Sequence, residues 1–330
     1  MLRLLRRNTL LAAFAFACAI GAGALAITVD ADTDSATSHM ASLPAGGCGA
    51  AASATVAAIQ TTVAKRIYRD ELAGTETVQD IARVRTYAPL VGALERDETA
   101  GVQAAVSALV YKPHWHIVRL RVLRGSRVLA DVGGPNVIAP VSGSLRAHGR
   151  TLARFVISVQ DDLGYVKLVT RFVGVPVNLY RHGTLVMGTL QAAPTPPAEG
   201  AHVQVGGRSY VVSNLPTQAF PSGPLQASLF VDSSPPAASC AALQLATWGS
   251  IARHVEARLH PIAAHYQDLA SVLRAVTGGR VLVRSGSHRL VGGGPRHLPA
   301  TGRVSYGGRS WPVYSWQPVA GTRIYFLAPS

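Results

Sequence analysis

Residues 118–131 read Val-Arg-Leu-Arg-Val-Leu-Arg-Gly-Ser-Arg-Val-Leu-Ala-Asp. The first half alternates, so its apolar side chains point to one side of a strand and Arg119 and Arg121 point to the other. The Arg-Gly-Ser-Arg segment is a turn signal, and the apolar run after it is typical of a returning strand. This stretch therefore predicts an antiparallel β-hairpin with one apolar and one basic face.

The sequence before the hairpin has a helical pattern, and the sequence after it has mostly a strand pattern. Apolar residues recur at spacings of three and four between residues 50 and 68, and helical texture continues over 77–94 and 99–110. Pro113 ends the helices. Downstream, short alternating runs predict antiparallel strands, interrupted by a short helix that Asp161 or Asp162 could cap.

Two segments of the chain recur in the same order. Residues 48–68 and 240–260 share seven residues at one offset, beginning with Cys48 and Cys240, and the motif Gly-Gly-Arg-Ser followed by an aromatic residue occurs at 206–210 and 307–311. Two copies are too few for a solenoid. The repeats predict a duplicated domain whose second copy lacks the hairpin and strand between Ile117 and Gln160.

This organisation divides the chain into four segments. Residues 1–27 combine three arginines with an apolar run, which predicts either a signal peptide cleaved near Ala26 or a retained membrane anchor. Residues 28–47 are expected to form a flexible linker. Residues 48–235 are expected to form the complete unit and 236–330 its reduced repeat. In either reading of the leader, the body of the protein is exported.

The cysteines agree with export. Apart from Cys18 in the apolar run, the chain has Cys48 and Cys240, at equivalent positions of the repeat. Two such cysteines in an oxidising compartment usually pair. The alternative is that both are small residues at helix starts. A bridge would close a long loop, with a contribution of about 4–5 kcal/mol in the chain-entropy model.

The chain is strongly basic, and its basicity comes from arginine. The formal net charge is +14, of which the leader contributes three positive charges. Such a charge favours anionic ligands or anionic polymers of the cell envelope. No run of basic residues interleaved with aromatic residues is present, so nucleic acid is not expected as a partner.

The long helix followed by the hairpin of residues 118–131 resembles the Cache (PDC) extracytoplasmic sensor domains, which have a PAS-like sheet behind a long helix. The likeness covers roughly residues 50–232. It implies an α+β fold of duplicated PAS/Cache-like units, with long helices packed on antiparallel sheets and a truncated second unit. It also implies a small extracellular ligand and a membrane signalling partner protein. Because no output module follows the second unit, we expect ligand capture or partner binding.

Six residues are candidates for ligand binding. Arg119 and Arg121 could clamp a carboxylate by bidentate hydrogen bonds, or could belong to a solvated face. His116 is expected at the rim of a pocket. Asp161, Tyr165 and Lys167 could contact the ligand at the start of the short helix, where an N-cap is the alternative role for Asp161.

The sequence contains no pattern typical of an enzyme. It has no nucleophile elbow, zinc-protease helix or paired carboxylates. The Gly-Gly-Arg motifs lie between strands, so they predict hairpin turns and not phosphate loops. We expect no catalysis, metal or cofactor. The sequence predicts a ligand-sensing or ligand-binding protein attached to the membrane or secreted, and the alternative is a structural or protein-interaction module of the envelope.

Overall fold

The computed structural model describes residues 48–113, 115–233, 239–259, 266–295 and 297–329, which form helices and three antiparallel sheets. The predicted α+β class is therefore confirmed. The chain divides into two compact units. The N-terminal unit comprises the described residues within 53–235 and 275–277, and the C-terminal unit comprises the described residues within 1–52, 236–274 and 278–330. The predicted leader and linker lie outside the described residues.

The N-terminal unit begins with helices. They are α1 (Ala52–Ala73), α2 (Thr75–Thr86), α3 (Ala88–Glu95) and α4 (Thr99–Val110). The helical pattern over residues 77–94 predicts one helix where the chain forms α2 and α3. Pro89 lies in the first turn of α3. It has no N–H to donate to a preceding turn and its ring would clash there, so α2 ends before it.

The first sheet contains the hairpin of residues 118–131. Its strands are β1 (Arg119–Arg124), β2 (Arg127–Gly133), β4 (Val141–Ala147) and β5 (Arg150–Ser158), in the order β2-β1-β5-β4. Leu120 and Val122 of β1 are buried in one apolar cluster with Leu90 and Val106 of the helices. The apolar face of the hairpin therefore packs on helices, which leaves its arginine face on the other side.

The second sheet contains the other strands of the N-terminal unit. They are β3 (Val137–Ile138), β6 (Gln160–Asp161), β7 (Val177–Arg181), β8 (Thr184–Gly188), β9 (His202–Val205), β10 (Arg208–Phe220) and β11 (Gly223–Asp232). The order is β6-β3-β10-β11-β7-β8, and β9 pairs with β10. Helix α5 (Asp162–Val173) precedes β7. Helix α1 contacts this sheet, because Thr61 Oγ1 donates a hydrogen bond to Ser213 Oγ at 2.8 Å.

The C-terminal unit contains two helices and a five-stranded sheet. Its elements are α6 (Cys240–Leu259), α7 (Tyr266–Thr277), β12 (Arg280–Ser285), β13 (His288–Val291), β14 (Thr301–Tyr306), β15 (Arg309–Val319) and β16 (Thr322–Leu327). The strand order is β13-β12-β16-β15-β14. Helix α6 packs on one face of the sheet. Its Trp248 ring lies 6.3 Å from that of Phe326, and Trp316 Nε1 donates to Glu256 Oε2 at 2.5 Å.

The sequence repeat corresponds to a repeated topology. When the strands are counted along the chain, β7–β11 and β12–β16 both have the order 2-1-5-4-3, and each set follows a helix of 12 residues. The paired glycines form the same hairpin turn in both copies, with positive φ at all four residues. The first sheet, which is formed by β1, β2, β4 and β5, has no counterpart in the described part of the C-terminal unit.

The disulfide between Cys48 and Cys240 is present, with the two Cα atoms 4.6 Å apart. The predicted pairing is therefore confirmed. Both cysteines belong to the C-terminal unit. Cys48 directly precedes a short 3-10 helix, Gly49–Ala51, and Cys240 is the first residue of α6. The bridge therefore fixes the start of the described chain to the helix that covers the last sheet.

No helix in the described ranges is long and apolar enough to cross a lipid bilayer.

Candidate functional site

Arg119 and Arg121 of β1 both bind the carboxylate of Asp131 on β2. Arg119 Nε and Nη2 donate to Asp131 Oδ1 and Oδ2, each at 2.9 Å. Arg121 Nε and Nη2 both donate to Asp131 Oδ2, at 2.9 and 2.5 Å. Arg121 and Asp131 are direct partners in the β1–β2 register, so they lie on the same face of the sheet. In this structure the two arginines hold a carboxylate of the chain itself, and the predicted clamp on a ligand carboxylate stays a prediction.

The pair is covered by an aromatic ring from the second sheet. The guanidinium carbons of Arg119 and Arg121 lie 5.1 and 4.7 Å from the centre of the Phe220 ring. Arg119 Nη1 also donates to the carbonyl of Gly134 at 2.9 Å. The side chains of Arg119, Arg121 and Asp131 are 14%, 23% and 21% exposed. The site is thus a half-buried group of charges that still opens to solvent.

The charges in this site do not balance. Two guanidiniums face one carboxylate, so the group carries a net positive charge. Burial alone would raise the pKa of Asp131, but hydrogen bonds from Arg119 and Arg121 outweigh burial and hold that pKa below its usual value. Asp131 is therefore ionised at neutral pH, and one positive charge remains for an added anion. Among the hydrogen bonds between described residues, none uses Arg121 Nη1.

His116 lies in a different environment, beside carboxylates. Its Nδ1 is 2.7 Å from Oε1 of Glu76, in the first turn of α2. The neighbouring Glu71 accepts a hydrogen bond from Gln160 Nε2 at 3.3 Å. Burial raises the pKa of Glu71 to about 7, and the nearby charges of Asp70 and Glu76 add to this effect. His116 is half-buried and contacts Glu76 of this acidic group, and its predicted place at the rim of a pocket stays a prediction.

The three candidates around the start of α5, namely Asp161, Tyr165 and Lys167, lie in three different environments. Asp161 is the N-cap of this helix, and its side chain accepts a hydrogen bond from the backbone N–H of Gly164. Tyr165 is fully buried, and its hydroxyl donates to the carbonyl of Ala64 at 3.5 Å. Lys167 is exposed. Tyr165 has no exposed side-chain surface in this structure, and the ligand contacts predicted for Asp161, Tyr165 and Lys167 stay predictions.

Two residues of the arginine site were missed by the sequence analysis. Asp131 lies inside the hairpin motif, but a β-bulge between Val122 and Leu123 decides which residue of β2 opposes Arg121. Phe220 lies at the end of β10, in the second sheet, and no local pattern connects it to β1. Among the described residues, no group of histidine, cysteine and acidic side chains could hold a metal ion.

No protein-family model and no curated protein matches the chain. The chain is similar in structure to solved periplasmic sensor domains, at low sequence identity. The periplasmic domain of LuxQ from Vibrio cholerae is 11% identical, with 55% of this chain and 98% of that one covered and a TM-score of 0.34.

Two further similarities concern ligand-binding domains. That of the Pseudomonas fluorescens chemoreceptor CtaA, in complex with L-alanine, is 13% identical, with 54% and 96% covered and a TM-score of 0.31. That of Mlp24, with asparagine, is 11% identical, with 54% and 95% covered and a TM-score of 0.28. These domains are of the Cache (PDC) type, the family that the long helix and the hairpin of residues 118–131 resemble.

Proposed function

We propose that the protein is an extracytoplasmic, non-catalytic binding protein that recognises a small anionic molecule at Arg119 and Arg121. The observation that carries this proposal is the sharing of one carboxylate, Asp131, by two guanidiniums beneath the ring of Phe220. Guanidinium groups bind carboxylates in a planar, bidentate geometry. The partly buried setting strengthens such an interaction, because the local dielectric constant is lower than that of water.

Asp131 determines how a ligand would enter the site. A ligand carboxylate can bind the outer N–H groups of Arg121 while Asp131 stays in place, or it can replace Asp131 in part. In both cases Asp131 competes with the ligand for the same positive charges. Removal of the Asp131 charge should therefore strengthen ligand binding, whereas removal of an arginine should weaken it.

The cellular location in this proposal is supported by the Cys48–Cys240 disulfide. Disulfides persist in oxidising compartments and are rare in the cytosol. The arginines and apolar run of residues 1–27 support export through the membrane, with attachment by that segment or release after cleavage. Under this proposal a membrane protein that responds to the ligand would be the signalling partner.

A thermal-shift screen of amino acids and small carboxylates tests the proposal. A ligand at about 100 times its Kd should stabilise the protein by about 2.7 kcal/mol. Arg121→Ala should abolish this stabilisation, and Arg121→Lys should restore little of it, because an ammonium group lacks the planar fork. Asp131→Asn should lower the Kd of the same ligand.

A matched control is Arg146→Ala, which removes an exposed arginine of β4 and should leave ligand binding unchanged. A ligand that binds the Arg119→Ala/Arg121→Ala variant as tightly as the wild type would place the binding site elsewhere. If no compound stabilises the protein and a protein partner co-purifies with it, the structural or protein-interaction function is supported instead.

A further inference from the structure

Two aromatic rings of the C-terminal sheet hold a guanidinium group between them and the solvent. The guanidinium carbon of Arg280 lies 5.5 Å from the centre of the Tyr306 ring and 5.4 Å from that of the Trp311 ring. Trp311 Nε1 donates a hydrogen bond to the carbonyl of Tyr306 at 3.1 Å, which fixes the Trp311 ring. Arg280 is exposed. The rings therefore orient an arginine that is accessible from solution.

These side chains lie on the face of the sheet that points away from helix α6. Phe326 of β16 packs on α6, so the next residue, Leu327, points to the other face. Leu327 is the direct partner of Arg280 and belongs to the same apolar cluster as Trp311. Helix α6 therefore does not cover the arginine or its rings.

A second arginine, Arg309, belongs to the same face. It is the direct partner of Tyr306 at the paired-glycine turn between β14 and β15, and direct partners have Cβ atoms about 5 Å apart on one face of a sheet. Arg309 is exposed, and Tyr306 is half-buried. We call Arg280, Tyr306, Arg309 and Trp311 the Arg280 surface. It offers two guanidiniums and one hydroxyl as hydrogen-bond donors.

The described residues supply no acceptor to these donors. Among them, no hydrogen bond or ion pair uses the guanidiniums of Arg280 and Arg309 or the hydroxyl of Tyr306. Strands β12–β16 contain no aspartate or glutamate, and residues 236–330 contain ten arginines against two acidic residues, Glu256 and Asp268, which are on helices. The Arg280 surface therefore keeps its positive charge.

The N-terminal unit shows what a guanidinium on an aromatic ring binds in this protein. Arg119 and Arg121 pack on the ring of Phe220, and both donate to the carboxylate of Asp131. A guanidinium on a ring keeps its N–H groups at its edge, where they match the two oxygens of a carboxylate. Arg280 has the ring contact, but no described residue supplies its carboxylate. A ligand carboxylate would complete the same arrangement.

The duplicated sheet forms without this surface. The repeated motif reads Val205-Gly-Gly-Arg-Ser-Tyr210 in the N-terminal unit and Tyr306-Gly-Gly-Arg-Ser-Trp311 in the C-terminal unit. Val205 is buried, and the Tyr210 ring packs against that of Phe230, with 6.0 Å between their centres. An apolar residue and an aromatic pair thus fill these positions in the other copy. The topology does not require the Arg280 surface.

We propose that Arg280, Arg309 and the hydroxyl of Tyr306 bind a molecule that carries two or more carboxylates. Two carboxylates balance the charges of two guanidiniums. Each guanidinium can bind one carboxylate through two parallel hydrogen bonds, and the hydroxyl can donate another. The rings orient Arg280 before binding, which lowers the entropy lost on binding. The site is separate from Arg119 and Arg121 and does not depend on the function proposed there.

Titration of the full chain with citrate tests the site. Calorimetry at pH 7, at constant ionic strength in chloride buffer, should show binding, with acetate about tenfold weaker because it has one carboxylate. Arg280→Gln and Arg309→Gln should each raise the Kd of citrate about tenfold. Tyr306→Phe, which removes only the hydroxyl, should raise it about threefold. Arg280→Lys gives a second measurement if Arg280→Gln unfolds, since it keeps the charge, loses the planar fork and should bind several times more weakly.

The matched control is Arg208→Gln. Arg208 is exposed and has the place of Arg309 in the N-terminal copy of the motif, so this variant should bind citrate as the wild type does. The titrations are repeated in the Arg121→Ala variant, so that citrate at the first site does not contribute. Equal citrate binding by Arg121→Ala and by Arg121→Ala/Arg280→Gln/Arg309→Gln would overturn the proposal, as would the absence of binding at millimolar citrate. Orthophosphate that binds as tightly as citrate would also overturn it.

A peptide distinguishes the two sources of carboxylates, a free polycarboxylate and an acidic segment of a protein. Tetra-aspartate is titrated into the Arg121→Ala variant in the same buffer. A Kd below that of citrate, raised by Arg280→Gln, identifies an acidic protein segment as the partner. A Kd equal to or above that of citrate identifies a small polycarboxylate.

Discussion

Asp131 is the carboxylate that Arg119 and Arg121 share, so its removal should cost more than the loss of an ordinary surface carboxylate. Asp131→Asn leaves Arg119 and Arg121 close together, without a counter-charge, in a half-buried site. We expect the free energy of unfolding at pH 7 to fall by about 1–3 kcal/mol. Denaturant unfolding of wild type and variant measures this difference, and Asp97→Asn, which removes a largely exposed carboxylate, is a control.

The ion pairs of Asp131 with Arg119 and Arg121 should also make the free energy of unfolding depend on pH. The pKa of Asp131 is lower in the folded protein than in the unfolded chain. Its contribution is therefore complete above the unfolded pKa of about 3.9 and is lost as the pH falls through the folded pKa. The stability difference between the wild type and Asp131→Asn should narrow below about pH 4. A difference that stays constant in acid would show that Asp131 does not act through its charge.

Glu71 should make the protein less stable as the pH rises, which is the opposite of the pH dependence expected for Asp131. Burial raises its pKa from 4.5 to about 7 in the folded protein. The folded state therefore binds the proton more tightly, and stability should fall as the pH rises from about 4.5 to 7, by about 2–3 kcal/mol in total. Glu71→Gln should remove this fall. Thermal unfolding of both proteins between pH 5 and pH 8 measures it, and parallel curves would contradict the prediction.

At the level of single elements, helix α5 depends on its N-cap residue, Asp161, which directly precedes the helix. The side chain of Asp161 accepts the otherwise unpaired backbone N–H of Gly164. Asp161→Ala should lower the free energy of unfolding by about 1 kcal/mol, whereas Asp161→Asn, which keeps the acceptor, should change it little. The variants are compared by denaturant unfolding. If Asp161→Ala instead weakened ligand binding without changing stability, the predicted ligand contact of Asp161 would replace its role as a cap.

Elements that depend on local pattern were predictable from the sequence. The β1–β2 hairpin follows from the alternation of apolar and arginine residues. The paired-glycine turns follow from residues that adopt positive φ. Both signals lie in residues that are adjacent in the sequence. The site depends on long-range features. A single bulge at Val122 places Asp131 opposite Arg121. Phe220 belongs to β10 of the second sheet, so only the tertiary fold brings it to the arginines. The role of Tyr165 does not follow from the sequence, because tyrosine has an apolar ring and a polar end and suits both a core and a pocket.

At the level of the whole molecule, the Cys48–Cys240 bridge is the largest single constraint on the chain. It joins residues 192 positions apart, and closing a loop of that length should contribute about 4–5 kcal/mol in the chain-entropy model. Cys48→Ser/Cys240→Ser should therefore lower the Tm of the C-terminal unit. A reducing agent should lower the Tm of the wild type equally and leave the double variant unchanged. A reductant effect on the double variant would indicate another cause.

The distance along the chain between Cys48 and Cys240 also determines when the disulfide can form during synthesis. During synthesis Cys48 emerges 192 residues before its partner, which at 5–20 residues per second is roughly 10–40 s. All of the N-terminal unit except residues 275–277 is made within that interval, while the Cys48 thiol has no Cys240 to meet. The oxidation that joins them is therefore a late event, and an oxidised Cys48–Cys240 pair marks a chain whose synthesis has passed residue 240.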